Sequence, residues 1–127
     1  MTGEELLVHT VKGLMDGDNS DVAEYREKFI IVLNILLQEN LKINNALRAA
    51  KGEDPLEEAQ TLTADTMSED LIYEPIFTGT ILPYGLAGWL YMDDEPSQAA
   101  EYRNKYESMR LSVLSAKWVD ITDEEDS

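Results

Sequence analysis

The feature that most constrains this chain is an unbroken helical repeat running from residue 22 to about residue 50. Val22, Tyr25, Phe29, Val32, Leu36, Ile43 and Leu47 recur at spacings of three, four and seven, and Leu33, Leu37 and Leu41 widen the stripe. Strands alternate with a period of two, so the pattern predicts one long amphipathic helix, about 43 Å at about 1.5 Å per residue. Lys51-Gly52-Glu53-Asp54-Pro55 ends it.

Shorter helical patterns flank this run. Upstream, residues 4–15 set Leu7, Val11, Leu14 and Met15 on one helix face, weakened at Gly13 by about 1 kcal/mol relative to alanine. Asp16-Gly17-Asp18-Asn19-Ser20 is turn chemistry. Gly17 suits a left-handed helix end, and Asp21 suits an N-cap that Glu24 answers as a capping box. Downstream, residues 56–70 are polar, rich in threonine and acids, and read as a surface connection. Leu71 to Phe77 is apolar but interrupted by Pro75, which fits either a short extended segment or the start of the next helix.

Leu82, Leu86, Ala87, Leu90 and Tyr91 then take helical spacing, with Gly79, Gly85 and Gly88 allowing a neighbouring helix to come close. Pro83 is tolerated only in a first turn, so this helix is expected to begin near Leu82. Asp93 to Ser97 supplies a turn and a helix start with Pro96 at its first position. The final helix is expected over 96–116, with Ala99, Tyr102, Tyr106, Met109, Val113 and Ala116 facing inward. Residues 120–127 read as an acidic, mobile strand or coil. The fold class is therefore all-α: a small bundle of about four helices with one long central helix and a flexible connection. It forms a single domain over residues 1–119, followed by the tail over 120–127.

Composition removes whole classes of function. Twenty-six acidic residues against ten basic ones give a formal charge of -16, which opposes phosphate-backbone binding, since that affinity comes from clustered Lys and Arg. Sequence-specific nucleic-acid binding is not expected. The same charge opposes self-association unless contact surfaces are spared or salt screens it. With no cysteine there is no disulfide, zinc–thiolate site or thiol nucleophile. Acidic residues at the N-terminus and the lack of an apolar run near the roughly 20 residues a bilayer needs point to a soluble intracellular protein with no membrane partner.

Catalytic motifs are equally scarce. His9 is the only histidine and reads as a surface residue. The sequence lacks a Gly-x-Ser-x-Gly elbow, a Ser-x-x-Lys pair, a Gly-x-Gly-x-x-Gly loop and a Walker A loop. Asp16, Asp18, Ser20 and Glu27 approximate calcium-loop positions, yet Asp21 stands where that loop turns on glycine, and the same residues serve a helix cap. No catalytic residue, cofactor or metal is assigned, and the chain is not expected to be an enzyme.

What remains is a contact surface. Arg103, Arg110 and Lys117 recur every seven residues with Lys105 nearby, either pairing within the subunit or forming a charged seam against a neighbouring copy. Tyr84, Trp89 and Tyr91 on the preceding helix exceed what a small core needs, although Trp89 itself reads as core. Together Tyr84, Trp89, Tyr91, Arg103, Lys105, Arg110 and Lys117 form the candidate subunit interface.

The stretch LIYEPIFTGTILPYGLAGWLYMDDEPSQAAEYRNKYESMR resembles the head-to-tail connector (adaptor) proteins of tailed bacteriophages and prophages. The likeness lies in an order of parts: a short extended segment, the helix of Leu82 to Ala87, and the acidic break of Asp93 to Pro96. A helix carrying Ala99, Ala100, Tyr102 and Tyr106 follows. It extends more loosely over residues 15–115, the long preceding helix included. The resemblance implies a structural, non-enzymatic subunit that forms a ring beneath the portal, meets the tail proteins, and lets DNA pass through the ring. This would place the chain in the virion, and in the bacterial cytoplasm during assembly. The acidity departs from that pattern and argues for a ring templated by the portal. The alternative from composition is a small acidic regulator or inhibitor that mimics nucleic acid and binds a basic host protein.

Overall fold

Side-chain caps start the first helices, and they fall on residues that local chemistry explains. The computed structural model describes the backbone of residues 1–126 and the side-chain surroundings of residues 1–115. In chain order the elements are α1 (Gly3–Val8), a π-helical turn (His9–Leu14), α2 (Asn19–Glu39) and α3 (Leu41–Ala50). A 3₁₀ turn (Ala64–Thr66), a second π-helical turn (Phe77–Ile81), α4 (Leu82–Leu90) and α5 (Pro96–Asp126) follow. Among the described residues the only β-type pairing is an isolated bridge between Thr2 and Asp70, so the chain is an all-α helical bundle.

At α1, Thr2 Oγ1 accepts from the Glu5 N–H at 3.0 Å while Glu5 Oε1 accepts from the Thr2 N–H at 3.0 Å, a reciprocal capping box. The second box lies one turn earlier than expected from Asp21 and Glu24. Asp18 caps α2 by accepting from the Asp21 N–H at 3.0 Å, and Asp21 answers by accepting from the Asp18 N–H at 2.9 Å. The left-handed residue of the intervening turn is Asp16 (φ 58°) rather than Gly17, a conformation that aspartate tolerates better than most side chains.

The expected stripe of the long helix is the core of the bundle: Phe29, Val32, Leu33, Leu36 and Leu37 are buried, and Tyr25, Leu41 and Leu47 pack at its edge. The helix is not unbroken, however. It is interrupted at Asn40 (φ -98°, ψ 5°), which ends α2 and precedes α3. Asn40 is fully buried. Its Nδ2 donates to the Leu36 carbonyl and to the Tyr106 hydroxyl, both at 2.8 Å, and its Oδ1 accepts from Arg110 Nε at 2.8 Å. A short amide that bonds its own turn and a distant helix breaks the helical conformation at this residue, whereas apolar periodicity carries on across it.

α4 occupies the middle of the bundle, with Leu82, Leu86, Ala87 and Leu90 buried and packed against both α2 and α5. A Cβ at Gly85 would sit 2.9 Å from the Tyr106 ring and 3.0 Å from Leu36 Cδ1, so the absent side chain lets three helices meet. Both readings of residues 71–77 hold in part, since helical structure begins at Pro75 after an extended approach. The π turn ahead of α4, closed by the Leu82 N–H on the Phe77 carbonyl, passes the chain into α4 where Pro83 can donate no bond.

Two expectations need correction. The 56–70 connection does more than cross the surface, because Leu62 and Met67 are buried in the core. Asn34 holds the Leu62 backbone by an N–H donor at 2.8 Å and an amide acceptor at 2.9 Å, and Asn45 holds Leu56 in the same way. In addition, α5 does not stop near residue 116 but continues to Asp126, so the backbone of residues 120–126 is helical. No glycine or proline follows Pro96 to break it.

An Arg26–Glu4 pair ties α2 to α1 through two parallel contacts of 2.5 and 2.6 Å. The Arg26 hydrogen bonds hold the Glu4 carboxyl below its ordinary value of 4.5, outweighing partial desolvation. A carboxylate lowered on folding stabilises the native state above that ordinary value, and the contribution is lost as pH falls through the lowered one. Glu4→Gln is therefore expected to lower Tm near neutral pH, with the gap from wild type closing as a calorimetric series is taken down below pH 4.5. Asn40→Ala is expected to cost about 3 kcal/mol and lower Tm by on the order of 10 °C, against a near-neutral exposed control at Gln38.

Candidate subunit interface

The candidate residues come from α4 and α5, which pack along one another. The structure divides them into an internal set and an outward set. Tyr91 belongs inside: its hydroxyl donates to the Met15 carbonyl at 2.8 Å, and its ring stacks on Tyr102 with centroids 6.2 Å apart. Burial, the largest influence, pushes its phenol up from the ordinary value. Tyr84 leans on Tyr102 at 6.0 Å.

Arg110 is also internal. It sits 3.1 Å from Glu39 and from Glu107, donates to Asn40, and lies 5.4 Å from the Tyr106 ring centroid. Pairing within the subunit thus accounts for this member of the basic series. Tyr106, buried between Asn40 and Glu39, has its phenol pushed up chiefly by burial.

Arg103 and Lys105 are different. Both are exposed, and among the described residues neither has a carboxylate within ion-pairing distance. Lys105 Nζ stands 5.1 Å above the Tyr84 ring, while the stem of Arg103 lies against Gly88. The side chain of Lys117 lies outside the described residues. The seven-residue spacing therefore does not produce one uniform stripe.

Trp89 corrects an expectation, because it is 37% exposed rather than part of the core. Since α4 is apolar on nearly every side, periodicity alone gives no way to tell which residue turns outward. Sequence reasoning also missed a cavity of about 240 Å³ between the two π turns, lined by His9, Gly13, Leu14, Gly79, Thr80, Pro83 and Tyr84. Its walls come from segments far apart in the chain, so only the juxtaposition of two glycine-containing turns could have hinted at it.

No protein-family model, no curated protein and no solved structure matches this chain. Among the described residues, no three His, Asp or Glu side chains converge as metal ligands would, and Asp18 and Asp21 are engaged in the α2 cap. No described helix is long and apolar enough to cross a membrane. The outward set, Trp89, Arg103 and Lys105, can offer an aromatic surface and two cations to an acidic partner.

Proposed function

We propose that this chain is a structural assembly protein without enzymatic activity, a head-to-tail connector subunit that joins the portal of a tailed phage or prophage to its tail. The observation that supports this reading is that Arg103 and Lys105 stand exposed on α5 with no carboxylate within ion-pairing distance among the described residues, in a chain of net charge -16. Set beside Tyr84 and the exposed Trp89, these two cations give α4 and α5 a basic, aromatic surface that suits an acidic partner. An acidic face on a second copy is the nearest such partner.

The stretch that resembles connectors includes all of α4, which carries Tyr84 and Trp89, and the first half of α5, which presents both cations. In this reading the copies form a ring that contacts portal and tail proteins, acts in the virion, and is built in the bacterial cytoplasm. Surplus carboxylates on the channel wall repel DNA phosphates and so let the duplex slide without being gripped. They also repel one another, so assembly requires screening by salt or a portal template.

Light scattering coupled to size exclusion, at low salt and at about 0.5 M, tests the reading, because the higher salt shortens the screening length to a few ångströms. Wild type is expected to form a larger, ring-shaped species in negative-stain images at high salt, and Arg103→Glu with Lys105→Glu is expected to abolish it while leaving the fold intact. A monomer at every salt and protein concentration contradicts assembly driven by screening alone, leaves only a ring templated by the portal, and shifts the weight towards the acidic regulator.

A further inference from the structure

Four peptide bonds in this chain precede a proline, and one of them, Asp54–Pro55, joins aspartate to proline. Such a bond differs from its neighbours on both sides. The aspartate carboxyl is one methylene removed from its own Cα, so attack on its own backbone carbonyl closes a five-membered ring. The proline nitrogen carries no hydrogen and leaves as a secondary amine.

The fold presents this bond at the surface and polarises it. Residues 51–55 are exposed. Gly52, in the left-handed region (φ 78°), turns the chain back over the last turn of α3, where the Glu53 N–H donates to the Arg48 carbonyl at 2.9 Å. The Asp54 carbonyl oxygen, where negative charge would develop during attack, accepts from Arg48 Nε at 2.7 Å. The Arg48 side chain is only 21% exposed, and Glu53 lies 3.5 Å from its Nη1, so the guanidinium is already in place before any bond changes. On the far side, Asn45 accepts from the Leu56 N–H at 2.8 Å and donates to the Leu56 carbonyl at 3.1 Å. Asn45 and Arg48 stand about one turn apart on α3, so a single helix clamps the chain on both sides of Asp54–Pro55. Among the described residues the Asp54 carboxyl makes no ion pair.

We propose that Asp54–Pro55 is a self-cleavage site, with Arg48 stabilising the oxyanion. An oxygen of the protonated Asp54 carboxyl bonds to the Asp54 carbonyl carbon, and charge builds on the carbonyl oxygen that faces Arg48 Nε. The carbon–nitrogen bond then breaks, the carboxyl proton passes to the Pro55 nitrogen, and a cyclic anhydride is left at Asp54. Water opens the anhydride to two carboxyl groups. The reaction is a single event without turnover, and its products are residues 1–54 and a chain that begins at Pro55. The two pieces stay together, because Asn34 and Asn45 on one hold Leu62 and Leu56 on the other, and Tyr106 bonds Asn40 across the cut. Cleavage thus removes the covalent tie between α3 and the segment leading to α4 while leaving the core contacts in place.

The test holds the full-length protein in warm, mildly acidic buffer and follows it by mass spectrometry under denaturing conditions, beside a synthetic peptide of residues 50–58. The folded chain is expected to split at Asp54–Pro55 roughly tenfold faster than the peptide, which has the same bond without the fixed guanidinium. Arg48→Gln is expected to bring the rate down to that of the peptide. Arg48→Lys, which keeps the charge without the fixed Nε donor, gives the same answer if Arg48→Gln does not fold. Asp54→Glu, at an exposed side chain whose anhydride would be a six-membered ring, is expected to stop the cut and leave Tm unchanged. Cleavage of the folded chain no faster than the peptide, a rate indifferent to both Arg48 variants, or the same fragments from Asp54→Glu overturns the proposal.

Discussion

At Gly88 the α4 backbone lies so near α5 that a Cβ there would stand 2.5 Å from Arg103 Cγ and 3.2 Å from the Arg103 backbone nitrogen. One turn earlier Gly85 admits Tyr106. These two missing side chains let a short, largely apolar helix pack closely against both α2 and α5. Tyr106 then reaches across to Asn40, and the Asn40 amide holds Arg110 at the break between α2 and α3. Close backbone approach is thus what turns three separate amphipathic patterns into one core.

The same arrangement decides which charges are available. Arg26, Arg48, Lys51 and Arg110 are matched by carboxylates within the subunit, and Lys51 closes on Glu74, whose side chain is almost wholly buried. Arg103 lies on the far side of the α4–α5 seam, where its stem covers Gly88 and its head meets no acid among the described residues. A chain with such an excess of carboxylates has ample material to neutralise this arginine, and the packing leaves it outward. That outward cation links the geometry of the core to the proposed contact between copies.

Much of this fold was legible in the sequence because local rules produced it. The apolar stripe of residues 22–47, the proline-led start of α5 and the tyrosines facing inward from α5 all follow from periodicity and capping. The break at Asn40 was not legible, since its cause is hydrogen bonding to Tyr106 and Arg110 on a helix distant in sequence. Leu62 and Met67 were hidden for a related reason: two isolated apolar residues in a threonine-rich and acidic stretch carry no period, and only their contacts place them in the core. At the candidate interface, spacing grouped Arg103 with Arg110. The structure separates them because Arg110 faces Glu39 and Asn40 while Arg103 faces outward.

The claim on which the rest depends is that α4 is locked between its neighbours. Native-state hydrogen exchange measures this directly, since locally opening helices exchange faster than those released only by global unfolding. The account predicts that the amides of Gly85 to Leu90 are among the slowest in the chain and that Gly88→Ala speeds exchange in α4 and in the first half of α5. If those amides exchange as quickly as those of α1 in the wild type, the seam is loose and the account is wrong.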